Sequence, residues 1–320
     1  MHLVMLDAGG TISAVDRGRG FDGGALGDDI LAHLAEAAPW ATIEACSVYR
    51  GLSEAMTFGD AMSVAQAVRG ACLDPAVDAV LVAHGTDAME ETAFLCDLIV
   101  PASKPVIFTG SQRAPSEPGY DGLRNLADAV LTAARRGAAA SGVLVVFGGC
   151  VLSATRARKV HAQALQAFGP DAAVVGRCGA ASPLAARRPR PALPLSDAPA
   201  AAVEIVTLGL GSDGRLVTAA ASRLEGMVIQ GLGCGNASPG VIQAVEKAVE
   251  AGRLVGVVAG CFEGEAAPVY ASGRRLSDIG AIFMKDMDAR RARMLIACAL
   301  GDRRTTSEAS ALILDWLKDR

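Results

Sequence analysis

The feature that most constrains this chain is the regular alternation of short apolar runs with stretches of helical spacing, joined by brief Gly- or Ser-bearing loops. That rhythm is the signature of a parallel sheet flanked by helices. Strand-like runs occupy residues 3–7, 42–48, 77–83, 105–109 and 142–147, and helical patterns occupy 28–38, 58–72, 88–100 and 122–135. Right-handed βαβ crossovers are expected to connect them. The rhythm breaks at 181–200, a proline-rich stretch that reads as a semi-rigid linker. It then resumes, with strands near 202–208, 226–230 and 254–258 and helices near 239–250, 289–299 and 307–318. The fold expected is therefore α/β in two domains. A larger N-terminal domain (1–180) carries a mostly parallel sheet flanked by helices, and a smaller C-terminal α/β domain covers 201–320.

Composition narrows the class. With 20% charged residues and a net charge of -4, the chain has no electrostatic footprint for nucleic acid. Its two arginine clusters, Arg187-Arg188-Pro189-Arg190 and Arg290-Arg291-Ala292-Arg293, read as solvated surface. Eight cysteines are scattered without a CxxC pair, which argues against a zinc site or a disulfide framework and for a reducing, cytoplasmic compartment. A strand-like run begins at His2 in place of a charged leader, and no apolar run reaches the roughly 18 residues of a membrane span. No metal or other cofactor is expected.

In open α/β sheets, ligands bind outside the carboxyl ends of the strands, so the informative loops follow Asp7, Ala83, Thr109 and Phe147. The first contains Asp7-Ala8-Gly9-Gly10-Thr11-Ile12-Ser13. Its spacing is neither G-x-G-x-x-G nor that of a P-loop, so it reads either as a site that exposes the Thr11 hydroxyl or as a plain glycine turn. The second is His84-Gly85-Thr86-Asp87-Ala88-Met89-Glu90-Glu91-Thr92. A polar burst between an apolar strand and a helix is costly unless it serves a purpose. Asp87 with Glu90 also fits a helix cap and capping box, a reading that leaves His84-Gly85-Thr86 unexplained. The third runs from Gly148 to Lys159. Lys159 alone reads as a surface lysine, but beside Thr86 and Asp87 a desolvated amine can take the proton of a threonine hydroxyl.

Together these loops resemble the bacterial-type asparaginase family, threonine amidohydrolases that convert L-asparagine to aspartate and ammonia. The resemblance rests on Ala8-Gly9-Gly10-Thr11-Ile12 and on His84 through Thr92. Thr109-Gly110-Ser111-Gln112-Arg113, Asp121-Gly122, Asn125-Leu126 and Thr155-Arg156-Ala157-Arg158-Lys159 support it. Gly231-Leu232-Gly233-Cys234-Gly235-Asn236 and Tyr270-Ala271-Ser272-Gly273 through Asp286-Met287 extend it over nearly the whole chain, closer to the cytoplasmic members.

By similarity, Thr11 is the primary nucleophile, and Thr86, Asp87 and Lys159 form a second hydroxyl–base–carboxylate unit. The route implied is attack on the side-chain amide, loss of ammonia and hydrolysis of an acyl-enzyme, with backbone N–H groups of Gly10 or Thr11 and of Thr86 facing the oxyanion. Ser53 matches the serine that binds the substrate α-carboxylate, with Glu54 beside it. Asp87 matches the ammonium partner and the Ser111 backbone an acceptor for the substrate amide. Asn236 matches a second ammonium group, in family members often from the neighbouring subunit, which implies a homodimer or homotetramer.

Departures from the family stand out. The mobile loop after the first motif usually carries a tyrosine, and here it offers Phe21, leaving Tyr49 or Tyr120 as substitutes. Glu54 stands where a neutral polar residue is usual, and Gly273 where a carboxylate is usual, with Glu263 or Glu265 as replacements. These departures suggest weak turnover or a different amide. Glutamine or a D-amino-acid amide is the alternative substrate, since one methylene changes binding by only roughly 1–3 kcal/mol. A subunit of an archaeal glutamyl-tRNA amidotransferase fits less well, for want of a basic face. A catalytically silent amino-acid sensor is the alternative from another class.

Overall fold

The computed structural model describes residues 1–16, 18, 21, 22, 24, 26–101, 103–186, 193 and 202–318. Two compact units divide the chain, Met1–Ala192 and Leu193–Arg320.

In the first unit the strands are β1 (His2–Ala8), β2 (Thr42–Ser47), β3 (Ala79–His84), β4 (Val106–Thr109), β5 (Val143–Phe147), β6 (Cys150–Ser153) and β7 (Val174–Arg177). They form one sheet in the order β7-β6-β5-β4-β3-β1-β2, parallel from β2 through β5. The helices are α1 (Asp28–Ala37), α2 (Phe58–Leu73), α3 (Met89–Ile99) and α4 (Gly122–Ala133). Central strands covered on both faces read as continuous apolar runs, and every residue of β3 is buried. Ile30 and Leu34 of α1 and Leu126, Ala129 and Val130 of α4 pack on Leu3, Met5, Leu81, Ile107 and Leu144. Helices α2 and α3 pair with each other on the opposite face.

The sequence reading left 148–159 as one loop, and the structure corrects this. Gly148 and Gly149 have φ of 54° and 81°, the positive pair that a two-residue hairpin turn demands, so the chain reverses and β6 runs antiparallel to β5. Lys159 then lies in a short strand, Arg158–Lys159, paired with Phe168–Gly169. Of the proline-rich stretch, 187–192 and 194–201 lie outside the described residues. Its described start packs on the first unit, where Leu184 is buried and donates its N–H to Arg136 O.

The second unit holds β8 (Val203–Thr207), β9 (Gly226–Gln230), β10 (Leu254–Val258) and β11 (Ile282–Phe283), parallel throughout and in chain order. Helices α5 (Arg215–Ala221), α6 (Pro239–Glu250) and α7 (Ala271–Asp278) contribute Val217, Val241, Val245 and Leu276 to the core on one face. Helix α8 (Ala289–Leu300) packs on the strands and on α9 (Thr306–Lys318). β11, α5 and α7 were not read from the sequence, because each is short and lacks a long apolar period. No helix among the described residues is long and apolar enough to cross a membrane.

Candidate active site

In the first sheet the strand order reverses at β1, which lies between β2 and β3. Such a switch point opens a crevice beyond the carboxyl ends of the strands. The loops leaving β1 and β3 flank it, and these carry the two threonine motifs.

The β1 loop is shaped mainly through its backbone. Asp7 is buried, and its carboxylate accepts the N–H groups of Gly9 and Leu26, both at 3.0 Å. Burial pushes the Asp7 carboxyl above its ordinary range, and those two donors oppose the shift. Gly10 has φ 92°, and a Cβ there would overlap the backbone of Gly85. The N–H of Gly10 donates to Gly51 O at 2.9 Å. It is therefore already engaged within the protein, which sets it apart from the donor role expected of it. Thr11 opens a single turn of 3-10 helix, Thr11–Ser13, half-buried above the fully buried Ile12. Because Gly10 presses on Gly85, the two threonines stand one residue beyond the same backbone contact.

The β3 loop is shaped by side chains. The Lys159 amine reaches Thr86 Oγ1 at 2.8 Å and Asp87 Oδ1 at 2.7 Å. Its side chain is 15% exposed and that of Asp87 57%, so the cation is shielded from water while its partner faces the crevice. The Thr86 hydroxyl donates to Gln112 Oε1 at 3.2 Å, and Gln112 Nε2 donates to Ala162 O at 3.1 Å. Buried Glu90 accepts the Lys159 backbone N–H and so fixes where the lysine leaves its strand.

Ser53 explains why the Asp87–Glu90 capping box does not form. Its buried Oγ accepts the N–H groups of Asp87 at 3.2 Å and Ala88 at 3.4 Å. Those donors at the head of α3 are thus satisfied from another loop, and α3 begins at Met89 with no side-chain cap of its own. With the Asp87 N–H already taken, Glu90 holds the lysine backbone rather than complete a capping box, and the Asp87 carboxylate meets Lys159.

A polar frame stands behind this circuit. Asp121 accepts the N–H groups of Gln112 and Arg113. Buried Asn125 donates to Gly110 O at 2.9 Å and accepts the Gly148 N–H at 3.2 Å, tying the β4 loop to the hairpin turn. His84 proves structural: it is fully buried, its Nδ1–H donates to Gly85 O, and burial pushes its pKa down to about 4.

The structure thus brings Thr86, Asp87, Lys159 and Ser53 together, with Gly10 and Thr11 adjoining through Gly85. Ser111 is buried just after β4, and its hydroxyl has no hydrogen-bond partner among the described residues. Glu54 is exposed on the turn that holds Ser53. Phe21 pairs through its backbone with Asp16, while its side chain and most of 17–25 lie outside what the structure describes. Asn236 belongs to the second unit, where its Oδ1 accepts the Ser272 hydroxyl at 3.1 Å. Glu263 and Glu265 are exposed in that unit.

Gln112 was missed as a site residue, although it stands inside a quoted motif, because nothing local marks its amide as the partner of a threonine 26 residues away. Also passed over was Gly209-Leu210-Gly211-Ser212-Asp213-Gly214, a G-x-G-x-x-G between β8 and α5. A dinucleotide fingerprint needs an acid at the end of the next strand. Gln230 stands there instead, and its Oε1 is taken by the Thr207 hydroxyl.

Residues 2–188 match the family model "Asparaginase, N-terminal" and residues 202–313 match "Glutaminase/Asparaginase C-terminal domain". An L-asparaginase of Bacillus licheniformis is 31% identical over 308 residues, covering 93% of this chain and 95% of that protein. A probable L-asparaginase of Deinococcus radiodurans is 37% identical over 233 residues, 70% of this chain and 71% of that protein. Among solved structures, the thermostable L-asparaginase from Thermococcus kodakarensis superposes with a TM-score of 0.84 at 25% identity, over 98% of this chain and 97% of that one.

Proposed function

The chain belongs to the asparaginase family, and on that premise we propose that it hydrolyses the side-chain amide of L-asparagine through a threonine acyl-enzyme. The observation that carries the reading is the Lys159 amine held 2.8 Å from the Thr86 hydroxyl and 2.7 Å from the Asp87 carboxylate, brought there from 72 residues away in the chain. Once its amine has given up a proton, Lys159 accepts that of Thr86, and Asp87 stabilises the ammonium that forms. Thr11, one residue beyond the Gly10–Gly85 contact, attacks the amide carbonyl, its hydroxyl proton passes to the amide nitrogen, and the C–N bond breaks to release ammonia. Thr86 and Lys159 then activate the water that releases aspartate. The N–H groups of Thr11 and Thr86 face the oxyanion, each typically worth roughly 3 kcal/mol.

Ser53 spends both oxygen lone pairs on the Asp87 and Ala88 N–H groups, so what it offers a ligand is its proton. That proton suits the substrate α-carboxylate. Asp87, half-exposed, takes the α-ammonium, with Glu54 contributing negative charge nearby. Gly10 and the Ser111 backbone line the amide end, Phe21 closes the site as part of a lid, and Asn236 joins the ammonium site from a neighbouring copy in a homodimer or homotetramer. The eight free cysteines fit a cytoplasmic setting.

The test is ammonia release from L-asparagine, L-glutamine and their D-enantiomers. Turnover of L-asparagine with a kcat/KM above those of the other three is the expected result. Preference for glutamine or a D-amide moves the substrate, and binding of L-asparagine without ammonia release turns the reading to a sensor.

A further inference from the structure

Two loops must be held in register for the proposed chemistry, and one short segment reaches both. The chain from β4 to α4 ends in Tyr120-Asp121. Asp121 takes the backbone N–H groups of Gln112 and Arg113 at 3.0–3.1 Å, and Gln112 in turn receives the Thr86 hydroxyl. Tyr120 points the other way. Its hydroxyl donates to Ile12 O at 2.8 Å, across 108 residues of sequence. That carbonyl belongs to the residue directly after Thr11, inside the single 3-10 turn that Thr11 opens. Two backbone bonds close this short turn, Ser13 N–H to Gly10 O at 3.3 Å and Ala14 N–H to Thr11 O at 3.1 Å, and the phenol adds an external donor on the Ile12 carbonyl.

The position is built for this ring. Gly122 leaves room that a Cβ would deny, since a side-chain carbon there would overlap the Tyr120 ring and hydroxyl. The ring packs against the cluster that contains Ile12, Leu126 and Leu3, so it is locked by apolar contact as well as by its hydrogen bond. Burial, with Asp121 and Asp29 nearby, raises the phenol further above its ordinary range, so the group stays a neutral donor wherever the protein is folded. Tyr49, the other tyrosine of the region, spends its hydroxyl elsewhere, donating to Leu52 O at 3.3 Å.

We propose that Tyr120 is a positioning residue for the nucleophile, its hydroxyl holding the Thr11 turn against the same segment that aligns Thr86 through Asp121 and Gln112. It rests on the amidase reading above. Positioning of this kind is read in kcat rather than KM, because misplacing a reacting group by a fraction of an ångström costs rate while the substrate contacts persist.

The test is Tyr120→Phe, which removes one oxygen and keeps the ring. Its kcat for L-asparagine is expected to fall roughly tenfold to a hundredfold with KM within about twofold. Amide exchange over residues 9–14 is expected to quicken roughly fivefold, while the thermal midpoint moves by no more than about 4 °C, the effect of one lost hydrogen bond. Unchanged kcat and unchanged exchange would overturn the proposal. So would a kcat loss accompanied by a rise in KM and faster exchange throughout the first unit, which would mark a merely structural role. If the wild-type protein releases no ammonia, the amidase reading fails by itself, and the exchange comparison still decides whether Tyr120 restrains the turn.

Discussion

The two threonine loops leave neighbouring strands of one sheet, yet they are built by different means. Around Thr86 the shape comes from side chains: Lys159, Asp87, Gln112, Glu90 and Ser53 arrive from four places in the chain and close a polar circuit. Around Thr11 it comes from backbone: glycines at 9 and 10, a backbone bond to Gly51, and carboxylate and phenol groups that grip N–H and C=O. The difference teaches which substitutions each loop can absorb. A side-chain circuit fails when one polar partner is lost, while a backbone-shaped loop fails when its path is altered.

The largest expected effect separates the roles of the two hydroxyls. Thr86→Val and Lys159→Met should each lower kcat about 10³- to 10⁴-fold, the range for loss of a positioned proton-transfer group. Thr11→Val should abolish acyl-enzyme formation, whereas Thr86→Val should let it build up, a contrast that mass spectrometry after rapid quenching would detect. Accumulation in the Thr11 variant instead would exchange their parts. Lys159→Arg, which is permanently charged and cannot act as a base at neutral pH, should be as inactive as Lys159→Met.

Next in size is a contrast in acid response. His84 lies beneath the Thr86 loop with a folded pKa near 4 against an ordinary 6.5, so the folded state binds its proton more weakly than the unfolded chain. Its contribution is whole above pH 6.5 and is lost as pH falls toward 4, by about 3 kcal/mol. Asp7, under the Thr11 loop, is shifted in the opposite sense, and keeping its buried carboxylate ionised costs stability as pH rises above its ordinary 3.8. Thermal midpoints between pH 4 and 7 should therefore fall on acidification in the wild type. A slope that persists in His84→Gln would show that the loss arises elsewhere.

The smallest effect concerns the orientation of Thr86. Gln112→Leu should lower kcat about fivefold to tenfold, the worth of one neutral hydrogen bond, with little change in KM. An unchanged rate would mean that Lys159 alone orients the hydroxyl.

The amino-acid sequence by itself determined the layered α/β plan, because strand-length apolar runs and helical periods are local patterns that survive without neighbours. It also marked the two threonine motifs, whose glycines are dictated by local backbone geometry and whose polar residues are out of place after buried strands. Tertiary structure alone decided the partners. Asp87 reads locally as a helix cap, and in the fold its N–H goes to Ser53 from the loop after β2 and its carboxylate to Lys159. Lys159 reads as surface, and only the Gly148–Gly149 reversal and β6 carry it back to the β3 loop. Gln112 and Tyr120 carry no local sign of their roles, since their partners lie 26 and 108 residues away. Hydrogen bonds over such separations depend on where the sheet order places the strand ends, and that placement is set by packing of the whole core rather than by any one stretch of sequence.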